Sequence, residues 1–120
     1  MAKFLLSAHV VDGQSREPMT RERMEAMMAS IGALEAEMNA ANALTMSGRL
    51  TEPAAATVVR PSRGKVRRTD GPFAESKEHL GGFYVIEAAD LEAAVGWATK
   101  TALAVDAPIE VRAFAEMPRG

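Results

Sequence analysis

The sequence predicts an α+β fold with a ferredoxin-like βαββαβ order, in which two helices cover one face of an antiparallel sheet. Three observations support this fold class. Segments 3–11 and 82–87 have the apolar and alternating character of strands. Apolar residues at spacings of three and four run from Met24 to Met38, which is the period of an amphipathic helix. A second helix signal begins at Asp90.

The first strand is predicted over Lys3–Val11. Its two faces are Phe4, Leu6, Ala8 and Val10 on one side, and Leu5, Ser7, His9 and Val11 on the other. Because both faces are largely apolar, we expect a central strand that is covered on both sides. Residues 12–18 then predict a loop that opens with an Asp-Gly turn signal.

Thr20 is a suitable N-cap for the first helix, and Glu22 in the first turn suits the helix dipole. The predicted buried stripe of this helix is Met24, Met27, Met28, Ile31, Leu34 and Met38. A strand over residues 43–49 is predicted to follow.

Residues 55–60 and 65–69 predict two short strands joined by a "PSRG" turn. This hairpin is an insertion between the second and third core strands. Strand 82–87 is predicted next, and Asp90 then caps the second helix. That helix has the apolar stripe Leu91, Ala94, Val95 and Ala98. A last strand is predicted over residues 108–114.

Two helices on one face leave the other sheet face without a cover. That face would carry Leu5 and His9, together with either Phe83 and Val85 or Tyr84 and Ile86. An apolar sheet face in water would be a large exposed patch. We therefore expect a homodimer that packs the two open faces together into a barrel.

The composition limits the classes of protein to which this chain can belong. The 120 residues suit a single domain over 1–120, and a formal net charge of −2 predicts neither nucleic-acid nor membrane binding. The chain has no cysteine, which excludes disulfides and thiolate chemistry. No stretch approaches the roughly 20 apolar residues of a membrane span, and the N-terminus lacks a secretory signal. We expect a cytoplasmic protein.

The segment "TDGPFAESKEHLGG", residues 69–82, concentrates ionisable side chains in a predicted loop. Asp70 either only caps the Asp-Gly-Pro turn or acts as an acid–base group at a pocket. Lys77 either orients an anionic substrate group or is a solvated charge, and Glu75 is either a second carboxylate or a partner in local ion pairs. Glu78 is expected to be exposed, and Phe73 is expected to anchor the loop in the core.

Other candidate residues lie on predicted strands. His9 is either a satisfied interface histidine or a base. Arg112 either binds a carboxylate or forms an ion pair at a solvated edge. Tyr84 either supplies a hydroxyl to the same pocket or belongs to the core. No spacing suggests a metal site.

Five basic residues make the hairpin positively charged: Arg60, Arg63, Lys65, Arg67 and Arg68. Charges on an exposed edge protect it from aggregation. Because the hairpin has no aromatic residues for base stacking, we do not predict nucleic-acid binding.

The stretch "TDGPFAESKEHLGGFYVIEAADLEAAVGWA" resembles the signature of the YCII-related proteins, specifically the DGPF subgroup. "KFLLS" near the N-terminus and "IEVR" at residues 109–112 are similar to that subgroup as well. The resemblance spans about residues 3 to 114. It implies a dimeric α+β barrel with a ferredoxin-like subunit, and no established reaction.

The resemblance has further implications. Some relatives carry a histidine–aspartate pair suspected of catalysis, and others of similar fold are dehalogenases or isomerases. The histidine of that pair has no clear counterpart here, since His9 aligns with a usually aromatic position. His79 stands where glutamine is also common in the subgroup, so the resemblance implies no required proton transfer from it. Members of the subgroup are often encoded near alternative sigma factors, which suggests a regulatory context.

These observations together predict a protein that binds a small anionic organic molecule in a pocket near the 70–80 loop. Catalysis would be cofactor-free isomerisation or elimination, with Asp70 and His9 in acid–base roles. Glu75, Lys77, Arg112 and Tyr84 are the predicted substrate-binding residues. The alternative is a non-catalytic ligand-sensing or protein-interaction module, in a transcriptional regulatory context.

Overall fold

The computed structural model describes residues 1–11 and 19–116. The elements, in chain order, are β1 (Ala2–Val11), α1 (Arg21–Ala40), β2 (Leu44–Arg49), a 3-10 turn (Pro53–Ala55), β3 (Thr57–Ser62), β4 (Lys65–Asp70), β5 (Glu78–Ala88), α2 (Leu91–Val105) and β6 (Ile109–Ala113). The loop predicted over 12–18 lies outside the described residues.

The main sheet has four strands in the order β2-β5-β1-β6, and every neighbouring pair is antiparallel. With α1 after β1 and α2 after β5, this arrangement is consistent with a ferredoxin-like fold. The predicted α+β class, with two helices and an antiparallel sheet, is confirmed. Among the described strands, β3 and β4 pair only with each other, as a separate two-stranded sheet.

The core lies between the helices and one face of the sheet. Phe4 and Leu6 of β1 lie opposite Ile86 and Tyr84 of β5, and all four side chains are buried. Leu34 and Met38 of α1 and Ala94 and Ala98 of α2 complete this cluster. Burial of apolar area here is the main source of stability.

In the part of the chain that the structure describes, no helix covers the opposite sheet face. Leu5 pairs with Val85, and Ser7 pairs with Phe83, so Phe83 and Val85 are the β5 residues on this open face. Phe83 also lies opposite Gly48 of β2. A Cβ atom at Gly48 would come within 2.9 Å of the Phe83 ring, so the ring occupies the space that a side chain would take.

The structure corrects the predicted start of β5. This strand begins at Glu78, four residues before the predicted Gly82, so the preceding loop is only residues 71–77. The glycine pair lies inside the strand, where the pairing with β1 shifts register between Ala8 and His9. A Cβ at Gly81 would meet Val10 Cγ2 at 3.0 Å, which explains a glycine at this close approach.

The helix stripes are also buried less completely than the sequence predicts. In α1 the buried residues are Leu34 and Met38, whereas Met24 and Met28 are exposed. The described chain therefore covers only the C-terminal half of α1. In α2, Ala94 and Ala98 are buried, but Leu91 and Val95 are exposed.

The subunit is flat, with extents of 50 × 49 × 18 Å. Its Cα radius of gyration is 16.9 Å, whereas a compact chain of this length has about 14 Å. The flat shape follows from a single helix layer on a single sheet, with a second small sheet beside it.

We expect Met38→Ala to lower the free energy of unfolding by about 2–5 kcal/mol, because Met38 is fully buried in the core. Met28→Ala is the matched control on the same helix, since Met28 is 68% exposed; its effect should stay within about 0.5 kcal/mol. Urea unfolding followed by circular dichroism measures both. Equal losses for the two variants would contradict the assigned core.

Candidate functional site

A cleft of about 430 Å³ adjoins the "DGPFAESKEHL" segment. It lies where the connection after β2, strand β3, the 71–77 loop and the first residues of β5 come together. Its walls are residues 50–53 and 56–59, Pro72, Phe73, Ser76 and residues 78–80. Most of this surface is apolar, and Glu52, Glu78 and His79 are the ionisable residues in it.

Backbone hydrogen bonds tie the walls of the cleft together. The Gly71 N–H donates to the Ala56 carbonyl at 2.7 Å, which joins the loop to the segment before β3. Gly71 has a φ of 98°, a conformation that glycine adopts without strain. The Leu50 N–H donates to the Gly81 carbonyl at 2.9 Å and closes the opposite wall.

An ion pair links β3 to the 71–77 loop beside the cleft. Arg60 Nη2 donates to Glu75 Oε1 at 2.8 Å. The same guanidinium lies 5.1 Å from the centre of the Phe73 ring, a distance suited to a cation–π contact. The hydrogen bond from Arg60 is the main reason that the pKa of Glu75 is lowered. Glu75 is thus engaged with the hairpin, and Phe73 is half exposed at the cleft wall, not in the core as predicted.

Asp70 and Lys77 flank the cleft but do not line it. Asp70 is the last residue of β4, lies opposite Thr57 and is exposed. Within the described chain its side chain makes no hydrogen bond or ion pair. Lys77 is also exposed, without a side-chain contact of these kinds to any described residue.

The other candidates lie on the main sheet. His9 Nε2 is 3.1 Å from Ser7 Oγ on the open face. Arg112 lies opposite Leu5 on that face, beside a shallow depression of about 150 Å³. Tyr84 lies on the helix side, where its hydroxyl donates to Glu35 Oε2 at 3.2 Å. Burial, followed by the Glu35 charge and this hydrogen bond, raises the pKa of Tyr84 to about 12.

The six predicted site residues therefore do not converge on one pocket. Tyr84 lies on the helix side of the sheet as part of the core, which is the second of the two alternatives given for it, and it does not line the cleft. Sequence reasoning did not select Ser76, Glu78 and His79 as ligand-contacting residues, although all three line the cleft. The positions of Glu78 and His79 follow from the early start of β5, which the internal glycines conceal in the sequence, and Ser76 lies in the loop just before this strand.

Residues 1–11 and 19–116 contain no group of three or more His, Asp or Glu side chains placed to hold a metal ion. In the same residues, no helix is long and apolar enough to cross a membrane.

The fold and the cleft-forming segment define an α+β domain that matches a known family. The chain belongs to the YCII-related domain family, whose sequence profile matches residues 3–118. It is also similar to an uncharacterised protein of Rhizobium meliloti (strain 1021), with 38% identity over 79 residues. This match covers 66% of the chain and 64% of that relative's length.

We expect Glu35→Gln to lower the pKa of Tyr84 from about 12, while leaving it above 10.0 because burial is the larger cause. The chain has one tyrosine, so ultraviolet absorbance of tyrosinate reports this group alone. Glu22→Gln in the exposed first turn of α1 is the control. An unchanged Tyr84 pKa in Glu35→Gln would contradict the Tyr84–Glu35 contact.

The raised pKa of Tyr84 also determines how the stability of the fold changes with pH. Because the phenol pKa is higher in the folded state, its stabilising contribution is complete below the ordinary pKa of 10.0. The contribution is lost as pH rises toward the folded pKa of about 12.

Proposed function

We propose that this protein binds a small, largely apolar organic molecule in the cleft beside residues 71–80. The observation that carries this proposal is the cleft itself. Its volume of about 430 Å³ falls within the range of roughly 300–1,000 Å³ common for small-molecule sites. Apolar walls with a few polar side chains, here Ser76, Glu78 and His79, are the usual composition of such sites.

The lining changes the expected charge of the ligand. An anionic ligand was predicted because Lys77 and Arg112 were assigned to bind it, and neither residue lines the cleft. Among the described residues, the lining instead includes the carboxylates Glu52 and Glu78, and no lysine or arginine. An uncharged or positively charged molecule therefore suits the cleft better than an anion.

Binding without turnover, as in a ligand-sensing module, is the better supported form of this function. Glu75 is paired with Arg60, and Tyr84 is bonded to Glu35. His9 lies beside Ser7. Asp70 and His9, the predicted acid–base residues, share no contact and lie outside the cleft. The regulatory context and the cytoplasmic location stay predictions.

Cofactor-free acid–base catalysis is the second candidate. It is favoured by the presence of Glu78 and His79 in the cleft lining, because a carboxylate and an imidazole are suitable groups for proton transfer. Isomerisation or elimination would then use these residues in place of Asp70 and His9.

We expect a ligand found by a thermal-shift screen of neutral and cationic aromatic fragments to bind at least tenfold more weakly to Ala56→Phe. Ala56 lines the cleft, so the larger side chain would fill it. Ala54→Phe is the matched control, because Ala54 is exposed and outside the lining. Nuclear magnetic resonance titration gives the affinities and the perturbed amides.

Equal affinity of the hits for wild type and Ala56→Phe would overturn the cleft as the binding site. Conversion of a bound hit to product, with loss of turnover in His79→Gln, would establish the catalytic candidate over the sensing one.

We also propose that the chain is a single domain of the DGPF subgroup, with β3–β4 as an insertion, and that it forms a homodimer as a barrel of two facing sheets. The 18 Å thickness and the helix layer on only one sheet face support pairing of the open faces. Met46 is 52% exposed, and it lies opposite Val85 on the open face. A second copy is the simplest cover for this surface.

Light scattering should give a mass of twice 12.8 kDa for the wild type. Met46→Asp should shift the dimer toward monomer, because it places a charge in the proposed interface. Met28→Asp is the control on the exposed surface of α1. A wild-type mass of one subunit at micromolar concentration would exclude the homodimer.

A further inference from the structure

We propose that the β3–β4 hairpin is an arm that docks on the acidic body of a second copy of this chain. The arm is residues 57–70, and the body is the rest of the chain. The inference rests on the homodimer proposed above and adds a second contact region, between the arm of one copy and the edge strands β2 and β6 on the open face of the other.

The arm has little packing against the described part of its own chain beyond Val58 and the contacts of Arg60 with Glu75 and Phe73. Among its strand residues, only Val58 is buried, and every residue of β4 is exposed. The arm forms its own two-stranded sheet and does not join the four-stranded one. An isolated two-stranded hairpin is at best marginally stable in water. The arm therefore has the structure of an element that is completed by contact with another surface.

One face of the arm carries an apolar stripe. Pro61 pairs with Val66, and Val59 lies two residues before Pro61, so the three side chains share this face. Val59 is 60% exposed, and Val66 is 68% exposed. A stripe of this kind requires a partner with apolar surface, and not charge alone.

The charge distribution of the chain is strongly uneven. The arm holds five of the 14 basic residues and one of the 16 acidic residues, giving a charge of +4. The body holds the other nine basic and fifteen acidic residues, giving −6. Oppositely charged surfaces on identical chains favour contact between copies and speed their association.

Two arginines indicate where in the arm an acidic group of the partner would bind. Arg60 lies directly opposite Arg67 in the hairpin, and like charges at this position are destabilising. Arg60 is compensated by Glu75. Arg67 has no ion pair with any described residue of its own chain.

A second copy satisfies both requirements of the arm. Its open face has exposed apolar side chains, including Met46 and Phe114, and β6 of the same sheet carries Glu110. Nucleic acid would satisfy the charge but not the apolar stripe, and the arm has no aromatic side chain for base stacking.

Carbodiimide crosslinking of mixed isotope-labelled and unlabelled protein tests the contact directly. Lys65 is the only lysine in the arm, so its amide bonds to carboxylates report the position of the arm. We expect mass spectrometry to find Lys65 crosslinked to a body carboxylate of the other isotope. Lys100, which contacts Glu37 within one chain, provides a same-isotope control. Lys65→Arg should remove only the arm crosslinks.

The double variant Arg67→Glu/Arg68→Glu gives a second measurement. Both residues are exposed, so the fold should persist by circular dichroism. We expect the dimer dissociation constant from sedimentation to rise at least tenfold. The control Arg21→Glu/Arg23→Glu makes the same charge change on the exposed start of α1 and should leave that constant within about threefold.

Three results would overturn the inference. A wild-type dimer that is unaffected by Arg67→Glu/Arg68→Glu, with Lys65 crosslinks confined to one isotope, would refute the arm but keep the homodimer. A monomeric wild type would refute both. If the wild type binds short duplex DNA, and the variant loses this binding while its dimer is unchanged, the arm binds a polyanion and not a second copy.

Discussion

The antiparallel pairing of β1 with β5 is the interaction on which the rest of the structure depends. These two strands are the centre of the four-stranded sheet, and β2 and β6 pair with their outer edges. One face of the pair supplies Leu6 and Ile86 to the core, both fully buried. The other face is the open face. A one-residue slip in this register would exchange the two faces, so the buried side chains hold the register in place.

Near the cleft, the pairing of β1 with β5 changes at two glycines, where neighbouring strands come close to the β5 backbone. Gly81 is the extra residue where β5 shifts register against β1, and Gly82 lies beside the Gly48 carbonyl. The shift lets β5 continue back to Glu78, so its first residues reach the cleft. The conspicuous charged segment is consequently only in part a loop. Its first half connects β4 to β5, and its second half is strand.

Much of the fold could be predicted, because local signals and tertiary packing agree. Alternation in β1 and the N-caps Thr20 and Asp90 all correspond to observed features, since each depends on neighbouring residues. The positions of the candidate side chains relative to one another could not be predicted. The Arg60–Glu75 pair joins residues 15 apart through the hairpin, and Tyr84 reaches Glu35 across 49 positions. No local sequence pattern shows which residues so far apart in the chain will be in contact. The candidate residues were chosen because charged side chains are dense in one segment, and the fold places several of them outside the cleft.

Strand β3 belongs both to the wall of the cleft and to the exposed hairpin. Val58 and Val59 form part of the cleft wall, and Arg60 holds the loop that carries Phe73. The same strand forms one half of the exposed hairpin. Because β3 belongs to both, a movement of the hairpin would displace part of the cleft wall, and a molecule bound in the cleft would in turn restrain the hairpin. If the proposed ligand binds there, occupancy of the cleft and position of the hairpin would be thermodynamically linked, with one coupling free energy that acts equally in both directions.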